Sequence, residues 1–338
     1  MSSLSLVALG WDERLAALTA ELPLDHVAGR VTRADRGQCW VATAGGTYHP
    51  YVQEPVAVGD WVVVAPDGDR ITGVLPRRSA LTRRGAGRAT TAQTLAANID
   101  HVLLVHGLDR PVNVRRLERE LVVAWDSGAV PIVVLTKADL CAGPDAEVAG
   151  AEAVALGVDV LAVSATGGRG LDRLHAALDP GHTFVLLGAS GTGKSTLVNA
   201  LAGAERQATG EVRAGDRRGR HTTTAGELLV LPGGAILVDT PGIRAVGLWG
   251  GDDEDGMAAT FADIDELAVS CRFPDCAHDR EPGCAVRDGV AEQRLASWRR
   301  LRRELARTGG DRAGWQRAQA NKQVRARGRA YKEIKPRR

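Results

Sequence analysis

Long hydrophobic runs are missing from this sequence. In its 338 residues, no stretch approaches the roughly 18 uninterrupted apolar residues that a membrane-spanning helix needs. The start, MSSLSLVALGWDERLAALTAEL, carries acidic residues and lacks a basic leader. We therefore expect a cytoplasmic protein that does not enter a membrane.

Cysteine and lysine are both scarce. Five cysteines do not form an even disulfide framework, and three of them fall within residues 271–284, which indicates a metal site with Cys39 and Cys141 outside it. Only five residues are lysine. Two of these, Lys137 and Lys194, lie in motifs where a compact ammonium on a flexible stem is not replaceable by a planar guanidinium.

The chain as a whole has no large excess of positive or negative charge, but its net charge of +2 hides an uneven distribution along the sequence. Residues 294–338 carry 16 Lys and Arg against three acids, which leaves residues 1–293 with a net charge of −11. The sequence thus ends in a basic arm on an acidic body. Such an arm either binds nucleic acid or is a solvated charged helix, and composition leaves both interpretations open.

The N-terminal third has the pattern of a small β-barrel. Residues 27–76 alternate apolar and polar positions between Gly-containing turns, which predicts several short antiparallel strands. A five-stranded barrel of the oligonucleotide-binding type (OB-fold) fits, as does an unspecific β-barrel. We assign residues 1–25 to an N-terminal extension and 26–95 to the barrel, with PRRSALTRRGAGRATTAQT predicted to be a loop.

From residue 100 onward the pattern changes to α/β. Short apolar runs such as HVLLVHG, VPIVVLTK and TFVLLGAS alternate with helical patterns, which predicts a parallel sheet with helices on both faces. The segment GELLVLPGGAILVDT predicts a closing hairpin. We assign residues 96–247 to this domain. Residues 248–338 form a further domain, acidic and irregular at first, then helical before the basic arm.

The segment GASGTGKS matches G-x-x-x-x-G-K-[ST] directly after a predicted strand and before a helical pattern. Its glycines let backbone N–H groups surround phosphates, Lys194 reaches the β and γ oxygens, and the Ser195 hydroxyl binds Mg²⁺. This phosphate-binding loop (P-loop) predicts a nucleoside triphosphate site without specifying the base.

A second motif, D-x-x-G, ends the segment AILVDTPG. Asp239 is expected to hold Mg²⁺ through its water, and the Gly242 N–H to face the γ-phosphate. We predict Lys194 and Asp239 as catalytic residues. One of three threonines in the polar segment between the two motifs is expected to close over Mg²⁺: Thr222, Thr223 or Thr224.

The tetrapeptide TKAD follows the apolar run VPIVVL. The Asp139 carboxylate can accept hydrogen bonds from guanine N1–H and the exocyclic amine, a pair that adenine lacks. Lys137 would lay its stem along the base, and Ser164 and Ala165 would offer a backbone N–H to guanine O6. Thr136 stands where Asn is usual and cannot supply an amide donor and acceptor together, so we expect somewhat weaker base binding.

The order of these motifs is TKAD, SA, P-loop, Thr-rich segment and D-x-x-G, which is the order of an ordinary GTPase rotated cyclically. Rotation is tolerable because domain termini usually lie close together on the surface. D-x-x-G then stands at the C-terminal border of the domain. The segment that senses the γ-phosphate therefore leads directly into the next domain.

That next domain contains CRFPDCAHDREPGC, with the spacing C-x4-C-x-H-x5-C. Three thiolates and one imidazole suit a closed tetrahedral zinc site, which is structural rather than catalytic. Free buried thiols are the alternative. The predicted ligands are Cys271, Cys276, His278 and Cys284.

The rotated order, together with GRHTTT, DTPGI and the cysteine segment, resembles the ribosome small-subunit-dependent GTPase A family, the circularly permuted YjeQ-like GTPases of bacterial 30S assembly. The resemblance covers nearly the whole chain. It implies an OB-fold barrel, a permuted P-loop GTPase and a zinc-binding helical domain. By position in the matched motifs, it implies GTP binding by Thr136, Lys137, Ala138, Asp139, Gly188, Ala189, Ser190, Gly191, Thr192, Gly193, Lys194, Ser195 and Thr196.

The resemblance also implies a reaction and partners. We expect hydrolysis of GTP to GDP and phosphate with Mg²⁺, one zinc per chain, and action late in the maturation of the 30S subunit, whose rRNA would bind the barrel, the zinc domain and the basic arm. We expect a monomer. The residue after D-x-x-G is Ile243 rather than the water-orienting Gln of Ras-type GTPases, so hydrolysis by the isolated chain should be slow. His221 or a partner would then orient the water.

Two other classes of protein compete with this interpretation. A P-loop kinase has no use for TKAD, and no acceptor-binding insertion is evident. A zinc-containing RNA-binding protein with an inactive nucleotide fold would not need an intact Lys194, Ser195 and Asp239.

Overall fold

The computed structural model describes residues 5–23, 25–35, 37–52, 54–84, 92–203, 226–239 and 255–306. The chain divides into two compact units. The first comprises residues 1–82 and 94–246, and the second comprises residues 83–93 and 247–338. The predicted α/β domain and most of the predicted barrel thus lie in one unit, whereas residues 83–93, which were assigned to the barrel, lie in the other.

The strands are β1 (Val27–Ala34), β2 (Cys39–Thr43), β3 (Gly46–Tyr48), β4 (Trp61–Val64), β5 (Ile71–Val74), β6 (Ala80–Arg84), β7 (Ala92–Ala97), β8 (His101–Gly107), β9 (Val130–Thr136), β10 (Val160–Ala162), β11 (Thr183–Leu187), β12 (Gly226–Val230) and β13 (Ile236–Asp239). The helices are α1 (Glu13–Thr19), α2 (Val114–Asp126), α3 (Pro144–Glu152), α4 (Leu171–Ala176), α5 (Lys194–Ala202), α6 (Asp255–Thr260), α7 (Ala262–Ala268) and α8 (Ala285–Gly289). Residues 292–306 are also helical. None of the helices in the described ranges is both long and apolar enough to cross a bilayer.

The first five strands form a small antiparallel barrel. β1 pairs with both β2 and β4, β2 pairs with β3, and β4 pairs with β5. A parallel bridge between Tyr51 and Arg70 connects the chain after β3 to the chain before β5. Val31, Val41 and Val62 are fully buried in its core. The alternating pattern therefore folds as the five-stranded barrel that was predicted.

The α/β part is a sheet in the order β10-β9-β8-β11-β13-β12. The first five of these strands are parallel, and β12 runs antiparallel to β13 as the predicted hairpin. Its core includes Leu103, Val134, Phe184 and Leu237. Because the carboxyl ends of parallel strands meet at one edge, the motifs that follow β9, β10, β11 and β13 converge there.

The barrel and the α/β sheet share backbone hydrogen bonds. At the end of β1, Arg33 lies opposite Glu227 and Ala34 lies opposite Gly226 of β12. The two sheets are therefore one continuous sheet of eleven strands. The barrel is thus attached to the strand that leads, through the hairpin, to Asp239.

A buried arginine strengthens this attachment. The side chain of Arg30 donates to the carbonyl oxygens of Leu9, Gly59 and Asn98 at 2.5, 3.3 and 3.0 Å, and to the Thr183 hydroxyl at 2.8 Å. Burial lowers the pKa of Arg30 to about 10, so the guanidinium remains charged at neutral pH. Since Thr183 begins β11, this one side chain joins the N-terminal segment, the barrel and the strand that enters the P-loop.

Two sequence-based expectations about secondary structure were wrong. The basic stretch expected to be a loop contributes β6 and part of β7, which form a two-stranded sheet. Leu81 and Leu95 are buried in these strands, but the surrounding Arg, Gly and Thr residues conceal their alternation. The acidic stretch after residue 247 contains α6 and α7, because Phe261 and Ile264 provide a buried apolar face.

Candidate functional site

The P-loop lies between β11 and α5. Its first residue, Gly188, has a φ of +155°, and a Cβ at this position would lie 2.3 Å from the carbonyl oxygen of Val105. Only glycine avoids that clash. The loop ends at Gly193 and α5 begins at Lys194. A glycine-rich turn that enters a helix N-terminus presents several backbone N–H groups, which is the arrangement that binds phosphate groups.

The ammonium of Lys194 lies against this loop. Its Nζ donates to the carbonyl oxygen of Gly188 at 2.8 Å and also to that of Ala189. Ser195 and Thr196 follow in the first turn of α5, where both are partly buried. One cation and two hydroxyl groups are thus placed next to the phosphate-binding backbone.

β13 brings a carboxylate to the same edge of the sheet. It pairs in parallel with β11, with Leu237 opposite Phe184. Asp239, two residues further along, therefore lies beside the last residues of β11. The Ser195 hydroxyl and the Asp239 carboxylate are hard oxygen ligands of the kind that Mg²⁺ prefers. Six residues that the sequence places in this region lie outside the described residues: His221, Thr222, Thr223, Thr224, Gly242 and Ile243.

TKAD directly follows β9 and touches the P-loop. The buried Thr136 hydroxyl donates to the carbonyl oxygen of Thr192 at 2.5 Å, with the His106 carbonyl oxygen 3.2 Å away. Lys137 adopts a left-handed backbone conformation with φ of +58°, and Ala138 starts a short 3-10 turn. The predicted base-binding and phosphate-binding loops are therefore bonded neighbours.

The SA segment after β10 lies beside TKAD. The Ala138 N–H donates to the Val163 carbonyl oxygen at 3.1 Å. A hydrogen bond from the Ser164 side chain lowers the pKa of the Asp139 carboxyl below its ordinary value of 3.8. Asp139, Ser164 and Ala165 are thus brought together as base-recognition residues would need to be, with Asp139 ionised at neutral pH.

Sequence reasoning missed the end of β8. The Leu108 N–H donates to the Thr136 carbonyl oxygen at 2.8 Å, and Asp109 Oδ2 lies 3.1 Å from Lys137 Nζ. No local motif marks this segment. The available signal was its position at the carboxyl end of a predicted strand, next to the strands that carry the two nucleotide loops.

The second unit contains a group of residues that can hold a metal ion. Its four possible ligand atoms all lie within 4.8 Å of one another. His278 Nδ1 is 3.6 Å from Cys271 Sγ and 3.5 Å from Cys284 Sγ, and these two sulfur atoms are 4.0 Å apart. Cys276 completes the group. A hydrogen bond from the Val286 N–H is the main cause that lowers the pKa of the Cys271 thiol, which favours the thiolate that a metal binds.

Glu281 holds the loop between these ligands and was also missed. Its carboxylate accepts hydrogen bonds from the N–H groups of Ala277, Asp279 and Arg280 at 3.0, 2.9 and 3.0 Å. A hydrogen bond from its own N–H, together with those from Ala277 and Asp279, lowers the pKa of Glu281 to about 2. The bonded N–H groups lie on both sides of His278, whose φ of +61° is unusual for a residue other than glycine.

Known proteins resemble this chain over most of its length. The family model for the RsgA GTPase matches residues 74–249. A small ribosomal subunit biogenesis GTPase RsgA of Streptomyces avermitilis is 48% identical over 329 residues, which covers 90% of this chain and 87% of the relative. The protein of the same name from Streptomyces coelicolor is 45% identical over 343 residues, which covers 96% and 93%.

Solved structures resemble the fold. YjeQ from Thermotoga maritima matches with a TM-score of 0.61 and 25% identity, over 83% of this chain and 99% of that chain. YloQ, described as a circularly permuted GTPase, has the same TM-score at 24% identity, over 83% of this chain and 95% of that chain. Together with the strand order, these matches confirm the permuted α/β fold that was predicted from the order of the motifs.

Proposed function

Because this chain belongs to the RsgA GTPase family, we propose that the small ribosomal subunit stimulates its hydrolysis of GTP and that it acts late in the maturation of that subunit. It is a GTP-hydrolysing enzyme of small-ribosomal-subunit biogenesis. The names of its relatives give the same role for those proteins. The reaction converts GTP and water into GDP and phosphate.

The main support for the proposed nucleotide site is the hydrogen bond from the Thr136 hydroxyl to the Thr192 carbonyl oxygen, because it holds the proposed base-binding loop against the P-loop. In this arrangement Lys194 neutralises the β and γ oxygens of the nucleotide. Ser195 and Asp239 supply oxygen ligands for Mg²⁺. The bound ion adds further neutralisation of charge on the phosphate oxygens.

We assign guanine recognition to the loops beyond β9 and β10. The ionised Asp139 accepts from guanine N1–H and the exocyclic amine, while the stem of Lys137 covers the base. Ser164 holds Asp139, and the backbone at Ala165 approaches guanine O6. Adenine would leave the Asp139 carboxylate without its donors, so ATP is expected to bind poorly.

We assign a structural zinc ion to the cysteine and histidine group of the second unit. Tetrahedral zinc with Zn–S of ~2.3 Å and Zn–N of ~2.1 Å places its ligand atoms about 3.5–3.8 Å apart. The separations of 3.5, 3.6 and 4.0 Å among His278, Cys271 and Cys284 are close to that size, and the Cys276 sulfur lies within 4.8 Å of the other three ligand atoms. All four protein ligands are present, so a closed site follows, without an open position for substrate.

We further propose that the protein acts as a cytoplasmic monomer and binds rRNA through the barrel, the second unit and the basic arm, which lies outside the described residues from residue 307 onward. Basic side chains release counterions from phosphates, so affinity for RNA should fall steeply with salt. Deletion of residues 310–338 should flatten this salt dependence and leave GTP binding unchanged. An unaltered slope would place the RNA contacts on the folded units.

Release of phosphate from GTP, measured with and without purified 30S subunits, tests the proposal as a whole. We expect slow turnover by the chain alone and strong stimulation by subunits, with ATP a poor substrate. Lys194→Ala should abolish both rates. Turnover that subunits leave unchanged would contradict the proposed dependence on the ribosome.

A further inference from the structure

The end of β8 contacts both nucleotide loops. The Val105 carbonyl oxygen lies beneath Gly188, and the Leu108 N–H bonds to the Thr136 carbonyl oxygen. Between them, a Cβ at Gly107 would lie 3.5 Å from the Cα of Thr192. Neighbouring residues of one strand end therefore pack alternately against the P-loop and against TKAD.

A carboxylate stands at the end of this segment. Asp109 Oδ2 is 3.1 Å from Lys137 Nζ, and the two side chains are 33% and 28% exposed. Among the described residues, Arg110 is a second cation near Asp109; it is 66% exposed and 4.0 Å away. Lys137 is thus the better placed partner, and the pair is partly shielded from solvent.

Gly107 lies against this pair, with no room for a larger side chain unless the pair shifts. A Cβ at Gly107 would lie 2.6 Å from Asp109 Oδ1 and 3.5 Å from Lys137 Cδ. Any larger residue at position 107 would displace one of the two side chains. The left-handed backbone of Lys137 also fixes the direction in which its stem leaves the chain.

We propose that Asp109 is a positioning residue of the nucleotide site, whose carboxylate holds the Lys137 ammonium where the lysine stem covers the guanine base. This inference rests on the proposed guanine site. A lysine side chain that is already fixed loses less rotamer freedom when the nucleotide arrives. Asp109 therefore raises affinity for the nucleotide without touching it.

The test is titration of the full-length chain with fluorescently labelled GDP and a labelled non-hydrolysable GTP analogue. Asp109→Ala should raise both Kd values by roughly twofold to fivefold, as expected for loss of an ion pair that is partly exposed to solvent. The two nucleotides should be affected equally, because the lysine stem covers the base and not the γ-phosphate. In turnover assays KM should rise and kcat should not change.

Two further variants serve as controls. Asp159→Ala removes the same charge just before β10, at the end of the sheet where the parallel strands begin and the nucleotide loops do not lie. This variant should leave both Kd values unchanged. Asp109→Asn keeps the side-chain volume and should weaken binding in the same direction. It provides the same test if the alanine variant does not fold.

A double-mutant cycle distinguishes positioning from a merely structural role. If Asp109 acts through Lys137, Asp109→Ala should add nothing to the Kd of a Lys137→Ala variant. A full additional effect in that background would overturn the proposal, and so would an unchanged Kd for Asp109→Ala alone.

The same measurements separate this inference from the function on which it rests. If Lys137→Ala and Asp139→Asn both leave the affinity for guanine nucleotides unchanged, the guanine site itself is wrongly assigned. If both weaken binding and Asp109→Ala does not, only the role given to Asp109 is wrong.

Discussion

The Thr136 hydroxyl donates to the carbonyl oxygen of Thr192 at 2.5 Å, and this bond joins the proposed base-binding loop to the P-loop. Thr136 is only 2% exposed, so water cannot replace the bond. Thr136, which stands where Asn is usual, thus positions the loop through its hydroxyl group. Weaker base binding than with Asn stays a prediction, and Thr136→Asn would test it.

The first prediction follows from that bond. Thr136→Val keeps the shape of the side chain but leaves the buried carbonyl oxygen of Thr192 without its donor, at a cost of about 1–2 kcal/mol. The Kd for GTP and GDP, measured by titration, should rise by roughly tenfold. Thr136→Ser retains the hydroxyl and should bind nearly as the parent does. A valine variant with parental affinity would show that the contact does not hold the loop.

The second prediction concerns the choice of base. Asp139→Asn should weaken GTP binding and shift preference toward xanthosine triphosphate, because the amide N–H₂ complements the C2 oxygen of xanthine. Competition titrations with both nucleotides measure this shift. If the variant keeps its GTP affinity, TKAD is an ordinary surface loop.

The ionisation of Asp139 also determines how the affinity for guanine nucleotides should depend on pH. The Ser164 hydrogen bond lowers the pKa of its carboxyl below 3.8, so the carboxylate proposed to bind guanine is ionised at neutral and mildly acidic pH. Its contribution should therefore be constant from about pH 5 to 8 and fall only in acid, as the carboxyl takes up a proton. A marked loss of affinity between pH 7 and about pH 5.5 would contradict this assignment.

How far the sequence predicts this site depends on the range of each interaction. TKAD and the P-loop were recognisable because their spacing is local and their neighbours are a strand and a helix. Asp109 was not recognisable, because its contact with Lys137 depends on the parallel register that places Gly107 opposite Thr136. That register follows from packing of the whole sheet and is not visible in any short window.

The attachment of the barrel shows the same limit. The alternating pattern predicts a barrel and the rotated motifs predict an α/β sheet, but neither predicts that β1 pairs with β12. Arg30 was also unremarkable, since one arginine among 38 carries no local signal that it is buried. Its role depends on four acceptors that lie far apart in the chain.

The third prediction tests Arg30. Arg30→Met should lower the free energy of unfolding of the first unit by about 2–4 kcal/mol, because several buried acceptors, including the Thr183 hydroxyl oxygen, lose their donor. Arg33→Met is the matched control, because the Arg33 side chain on the same strand is 45% exposed. This variant loses an ion pair with Asp35 and a contact with the Trp40 ring, and it should lower stability by only about 1 kcal/mol. Urea unfolding measures both. Equal stabilities of the two variants would argue against Arg30 as the joining residue.

The fourth prediction concerns the metal group. Cys276→Ala should abolish the bound zinc and make the chain after residue 247 sensitive to protease, because so short a loop has little core of its own. Cys141→Ala, which removes a thiol outside the group, should retain full zinc content. Glu281→Ala should keep the ligands but weaken zinc binding by about 10–100-fold in competition with a chelator. Zinc retained in full by Cys276→Ala would refute the ligand assignment.

The last prediction concerns why the ribosome is needed. Ile243, which follows D-x-x-G, has no group that could orient the attacking water, so the isolated chain should hydrolyse GTP slowly. His221, in the Thr-rich segment between the two phosphate motifs, is the candidate that could serve instead. It precedes β12, whose first residue, Gly226, pairs with Ala34 of the barrel strand β1.

If the subunit binds the barrel as proposed, that contact acts on β1, which pairs with β12, and β12 follows the segment that contains His221 in the sequence. We expect strong stimulation of phosphate release by 30S subunits in the parent chain and its loss in His221→Ala, with GTP affinity retained. His221→Gln, which keeps a hydrogen-bonding group, should recover part of the stimulated rate. Full stimulation of His221→Ala would remove His221 from the mechanism while leaving subunit dependence intact, because the water-orienting group would then have to come from the subunit itself.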